Sequence, residues 1–138
     1  MTEELRIVGV EEPPWSVIGG GINRYNSQHA GDENSQRVCF VLKSTDDKMV
    51  GGVIGVVYWD WFSVELMWME EEYRGQGYGH RLLTLAEEEA RDRGARHVHL
   101  DTFSFQAPGF YEKHGYEVFG ELQDFPPGHQ RYYMWKDL

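Results

Sequence analysis

Read for the spacing of apolar and polar positions, the chain breaks into short alternating runs with one helical period near its middle. Val38 to Lys43 (V-C-F-V-L-K) and Met49 to Trp59 are β-rich runs joined by Ser44-Thr45-Asp46-Asp47-Lys48, which has the composition of a hairpin connection. A third run, Phe62 to Met69, follows a corner at Asp60-Trp61 and completes an antiparallel meander. From Gly77 the period becomes helical. Tyr78, Leu82, Leu85, Ala86 and Ala90 fall on one face, while Arg81, Thr84, Glu88 and Arg91 lie elsewhere. This amphipathic helix ends at Gly94, after Arg91 and Arg93 at its negative pole. His97 to Leu100 reads as a strand, Phe105 to Lys113 as a short helix closed by Gly115, and Tyr116 to Glu121 and Gln130 to Trp135 as the last strands. Ahead of the meander, Leu5 to Val10 reads as a first short strand, and Pro13-Pro14 open a helix toward His29. Within that helix, Gly19-Gly20-Gly21 each cost about 1 kcal/mol relative to alanine. The predicted order β-α-β-β-β-α-β-α-β-β describes an α+β fold with a mixed, mostly antiparallel sheet flanked by helices.

Composition narrows the setting. No repeat, low-complexity tract or Pro/Ser-rich linker interrupts the 138 residues, so a single domain over residues 1–138 is expected. At 41% hydrophobic and 14% aromatic residues there is enough apolar surface for a core. Lys+Arg 13 against Asp+Glu 23 gives a net charge of −10, spread evenly along the chain. Such a field repels nucleic acid and anionic membranes and attracts small cations. A lone cysteine, Cys39, excludes an intramolecular disulfide framework, fits a reducing compartment, and lies in a strand that reads as buried. The N-terminus has no signal-peptide pattern, and the longest near-apolar run falls well short of the roughly 20 residues a membrane span needs. A soluble cytoplasmic protein is expected. His97-x-His99 puts two imidazoles on one strand face, but no carboxylate or thiolate completes a ligand set, so no metal is expected.

The most informative stretch is Met67-Trp68-Met69-Glu70-Glu71-Glu72-Tyr73-Arg74-Gly75-Gln76-Gly77-Tyr78-Gly79-His80-Arg81. A strand ends, a glycine-rich turn follows, and a helix begins on the glycines. Glycines let a backbone approach a ligand and aim its N–H groups outward, and the helix dipole adds positive potential there. The turn therefore suits an anion, most naturally a phosphate or pyrophosphate, with Arg74 and Arg81 adding fixed charge. A dinucleotide fingerprint needs another spacing after the first strand, and a P-loop needs a following Gly-Lys-Ser/Thr.

Arg74-Gly75-Gln76-Gly77-Tyr78-Gly79 resembles the R/Q-x-x-G-x-G/A signature of the GNAT superfamily of N-acetyltransferases, which binds the pyrophosphate of acetyl-coenzyme A. Ala107-Pro108-Gly109-Phe110-Tyr111-Glu112-Lys113-His114-Gly115-Tyr116 is similar to the same family's A-x-x-F-Y-E-K-x-G-F/Y block. Asp101 to Pro108 further resembles small bacterial members of unassigned substrate, some labelled as acetylating antibiotics such as streptothricin. The resemblance covers residues 36–138 well. It implies direct attack of a primary amine on the acetyl thioester in a ternary complex, without an acyl-enzyme.

For the site, the resemblance implies that the backbone of Gly75, Gln76, Gly77, Tyr78 and Gly79 holds the pyrophosphate beside Arg74. The main chain of Met67, Trp68 and Met69 pairs with the pantetheine arm, and Ser104 stands where the family often has an asparagine touching that arm. Tyr111 matches the family's general acid; the bland alternative is a tyrosine anchoring its helix, with Phe110 beside it as the packing residue. By strand alternation Ser63, Glu65, Met67 and Met69 share one face, making Glu65 a candidate base or, equally, an ordinary solvent-facing carboxylate. The expected partner is a small cationic amine bound between Trp15–Asp32 and Asp124–His129, with a homodimer as the candidate assembly. Two alternatives stay open: a protein amine as acceptor, and a catalytically silent acyl-coenzyme A-binding module.

Overall fold

The computed structural model describes residues 3–138, and its contacts divide the chain into two units, the first ending at Glu33 and the second running from Asn34 to Leu138. In the first unit Leu5 to Val10 form no strand. The segment pairs with no ladder, and Leu5, Ile7, Val8 and Val10 are exposed. That corrects the expected first strand: a few apolar residues are β-structure only when a neighbouring strand takes up their N–H and C=O groups. Helix α1, Trp15–Ala30, begins directly after Pro13-Pro14 and ends at Gly31, whose φ of 79° continues no helix. None of its residues is buried.

The second unit is built on a six-stranded sheet. Its strands are β1 (Gln36–Lys43), β2 (Met49–Tyr58), β3 (Trp61–Met69), β4 (His97–Phe103), β5 (Glu117–Gln123) and β6 (Gln130–Asp137), in the spatial order β1-β2-β3-β4-β6-β5. Every neighbouring pair is antiparallel except β3–β4, which is parallel because α2 (Tyr78–Asp92) carries the chain back across the sheet. The β2–β3 corner is tight. Trp59 and Asp60 both have positive φ, 45° and 69°, the backbone twist that a two-residue hairpin turn requires.

Helix α2 lays Leu82, Leu83, Ala86 and Ala90 on the core that Val38, Val53, Val57, Phe62, Val98, Leu100 and Met134 build from the strands. The predicted helical face is right in period but rotated. Leu85 is 47% exposed, while Leu83 and Glu87 are buried. At about 100° per residue Leu85 falls outside the arc that Leu82, Leu83, Ala86 and Ala90 share. Cys39 is exposed rather than buried, because neighbouring Val38 takes the core side of β1. Helix α3 spans only Pro108–Lys113, shorter than expected. The Gln106 side chain accepts from the Phe103 N–H at 2.8 Å and holds residues 103–106 as a turn, and Pro108 disfavours helical backbone at Ala107.

Candidate active site

Where β3 meets β4 the sheet opens. The two strands pair over only three positions, Trp61↔His97, Phe62↔Val98 and Ser63↔His99. β3 nevertheless stays paired to β2 as far as Met69↔Gly51, and β4 stays paired to β6 as far as Phe103↔Arg131. The facing edges of both strands beyond Ser63 and His99 therefore carry backbone N–H and C=O groups with no ladder partner.

A bulge marks the parting point. Ile54 pairs with Leu66 and Gly55 with Val64, so Glu65 is one residue too many. Alternation inverts there. Phe62 and Val64 face the core before the bulge, and Met67 and Met69 pack on that same core after it. This corrects the expected shared face: Glu65 and Ser63 do not lie with Met67 and Met69. The Glu65 carboxylate instead accepts a hydrogen bond from the Arg37 guanidinium on β1, and both side chains are largely in solvent.

The glycine turn closes the mouth of this opening. After Met69 the chain makes a single 3₁₀ turn at Glu71–Tyr73 and runs through Gly75 and Gly77, with φ of 74° and 89°. Only glycine adopts such backbone freely. Gly77 is the N-cap of α2 and has no side chain to cap it, and among the described residues the backbone N–H groups from Gly75 to His80 donate to no backbone carbonyl. Six free donors at a positive helix end form an anion cradle that fits a diphosphate. Arg74 is held in place by donating from Nε to the Met69 carbonyl at 2.9 Å, and Arg81 lies over the Tyr78 ring at 5.7 Å. At Gly79 an added Cβ would stand 3.0 Å from the Phe110 ring and 3.8 Å from the Met67 methyl, so this glycine lets α2, α3 and β3 converge.

Tyr111 is buried at 8% exposure in the core cluster, deeper than Phe110, which is the reverse of the expected division between them. Burial, and then the Asp101 carboxylate, push its phenol up to about 12. The hydroxyl thus keeps its proton throughout the neutral range. Asp101 is clamped by Arg131, whose Nε and Nη2 lie 2.9 and 2.7 Å from one carboxylate oxygen. Arg131 also stacks among Phe103, Phe125 and Tyr133. Ser104 is tied to β6: its hydroxyl accepts from the Gln130 N–H at 3.0 Å, and its own N–H donates to the Gln130 carbonyl at 2.8 Å.

Behind the cradle lies a polar network that the sequence did not announce. Glu87, 5% exposed, accepts from the Tyr116 hydroxyl at 2.6 Å and sits 2.8 Å from Lys136 Nζ and 3.4 Å from His114 Nε2. His114 Nδ1 in turn lies 2.8 Å from His80 Nδ1. Desolvation lowers the His114 pKa against the opposing pull of Glu87, and burial with Glu87 raises that of Tyr116. These partners are far apart in the chain, and their spacing carries no periodic signal.

Comparison with known proteins agrees with this geometry. The acetyltransferase (GNAT) family model matches residues 9–116. The chain is 39% identical over 92 residues to the blasticidin-S acetyltransferase of Streptomyces morookaense, covering 66% of this chain and 68% of that protein. It is 33% identical over 104 residues to an acetyltransferase of Agrobacterium fabrum, covering 75% and 76%. The crystal structure of an acetyltransferase from Bacillus cereus superposes with a TM-score of 0.91 at 34% identity, over 97% of this chain and 98% of that one. A splayed parallel strand pair, a bulge at its fork and a glycine-capped helix at its mouth are thus found with matching sequence, and the chain belongs to the GNAT family of acetyl-coenzyme A-dependent N-acetyltransferases.

Proposed function

We propose that this protein acetylates a primary amine of a small cationic acceptor, by direct attack in a ternary complex, as a cytoplasmic enzyme. The observation that carries the reading is the free edge of β3 running into the uncapped turn of α2. Acetyl-coenzyme A supplies the activated acetyl thioester. The N–H groups of Gly75 to Gly79 hold its pyrophosphate, with Arg74 alongside, and the main chain of Met67, Trp68 and Met69 takes its pantetheine arm as a further strand would. The Ser104 hydroxyl, which accepts from the Gln130 N–H, still has its own proton to donate toward that arm.

Tyr111 holds its proton at Oη for the departing thiolate. With the phenol at about 12 and a thiol near 8.5, complete transfer costs several kcal/mol, so a donated hydrogen bond is the main contribution. Glu65 is the candidate base. To take the amine proton it exchanges its Arg37 partner for the acceptor, an inexpensive change for an exposed pair. The net charge of −10 and the blasticidin-S acetyltransferase relative support a small cationic amine as acceptor.

The test is release of free coenzyme A from acetyl-coenzyme A across a panel holding nucleoside and streptothricin-type antibiotics, polyamines and peptide amines. Turnover confined to the small cationic amines is expected. Turnover on peptide amines alone would replace the acceptor class. Coenzyme binding with no turnover on any amine would replace catalysis by a binding role.

A further inference from the structure

The cradle at the start of α2 is joined to a buried carboxylate by two histidines. The His114 and His80 rings lie edge to edge, with centroids 5.1 Å apart and planes 8° from parallel, and Phe110 packs against His80 with ring centroids 4.4 Å apart. Their Nδ1 atoms share one hydrogen bond, so one nitrogen donates and the other accepts. The carboxylate decides which. Glu87 lies beside His114 Nε2, favouring a proton there, which leaves His114 Nδ1 as the acceptor and makes His80 Nδ1 the donor. His80 Nε2, on the far side of its ring, is then a lone pair ready to take a proton. His80 is also the third residue of α2, one position beyond Gly79, and its own N–H is among the free donors.

We propose that His80 is a proton-accepting ligand of the coenzyme diphosphate, tuned through His114 by the buried Glu87 carboxylate. The inference rests on the coenzyme site assigned above. In the free protein several groups oppose a positive His80: the positive end of α2, Arg74 in the turn, Arg81 on the helix, and Lys136 reaching from β6 to Glu87 and to the His114 carbonyl. Glu87 favours the proton, although the Tyr116 hydroxyl and Lys136 already draw on its charge. A bound diphosphate adds negative charge at the helix end and reverses the balance. Binding therefore raises the proton affinity of His80, and a proton moves from solvent to Nε2, whose N–H then donates to a phosphate oxygen. Coenzyme affinity is then greatest where His80 carries the proton in the complex, and it falls as rising pH removes that proton.

The experiment is calorimetric titration with dephospho-coenzyme A, which keeps the diphosphate but lacks the phosphate monoester that itself titrates near pH 6. Runs at about pH 6.5 in two buffers of different ionisation enthalpy count the protons taken up. A net uptake of up to one proton is expected, with affinity falling about tenfold across the titration, the worth of one charge-assisted hydrogen bond. His80→Gln should abolish the uptake and flatten affinity against pH. His114→Gln should move the uptake to lower pH by cutting the link to Glu87. The imidazole nitrogen shifts of His80, followed by NMR in the wild-type protein during the same titration, test the protonation without any substitution. Binding without uptake, or unchanged uptake in His80→Gln, overturns the relay and leaves the coenzyme site standing. Failure of the wild-type protein to bind the coenzyme at all overturns both.

Discussion

The two halves of β3 are built from similar residues and do opposite things. From Trp61 to Ser63 the strand is hydrogen-bonded on both edges, and Phe62 is completely buried beneath α2. Gly55 lies against that ring so closely that an added Cβ would run into it and into the Ser63 carbonyl oxygen at 2.6 Å. From Val64 to Met69 the same strand keeps one partner only, carries the bulge at Glu65, and exposes Leu66 and Trp68. The closed half contributes stability through burial. The open half leaves backbone groups unpaired, which is costly unless solvent or a ligand takes them up. A site of this kind depends less on special side chains than on where pairing stops.

The largest effect should come from attacking the closed half. Phe62→Ala removes a fully buried ring and should cost about 3–5 kcal/mol in chemical denaturation. A loss under about 1 kcal/mol would mean that this half is not the anchor the comparison makes it.

Tyr111→Phe tests the neighbouring catalytic position and should lower kcat by about a hundredfold while leaving coenzyme affinity almost unchanged. Because the phenol sits at about 12, the wild-type pH–rate profile should show no descending limb from Tyr111 below about pH 11. A fall in kcat of less than about tenfold would leave Tyr111 as a core residue with no chemical role.

At the glycine turn that closes the open half, Gly77→Asp puts a carboxylate into the cradle at a residue with φ of 89° and should weaken coenzyme A about tenfold or more, read by calorimetry. Unchanged affinity would place the pyrophosphate elsewhere.

The smallest change is expected from Glu65→Gln. The exposed pair with Arg37 is worth about 0–1 kcal/mol, so stability should hold while the ascending limb of the pH–rate profile moves toward the pKa of the free amine. If that limb stays in place, Glu65 is a bulge residue and nothing more.

The errors of sequence reading here have identifiable causes. Alternation placed Glu65 with Met67 and Met69 because a period of two cannot register an inserted residue, and a bulge leaves no mark in the sequence of one strand. Leu5 to Val10 had the apolar content of a strand without a partner. Cys39 read as buried because every residue of V-C-F-V is apolar, and only the pairing of β1 with β2 selects which alternate set faces α2.

What the sequence determined by itself is local. Helical period from Tyr78 onward, hairpin chemistry between the first strands, and a glycine-rich turn at the helix start are all written in neighbouring residues, because they follow from backbone sterics and side-chain size. What tertiary structure alone decided is which distant groups meet. The length of the β3–β4 pairing depends on how two strands twist apart over a shared core. The placing of Glu87 against Tyr116, Lys136 and His114, and of His114 against His80, brings together residues that are 29, 49, 27 and 34 positions apart in these contacts. Charge and hydrogen bonding act through space, and a linear pattern records only what is near along the chain.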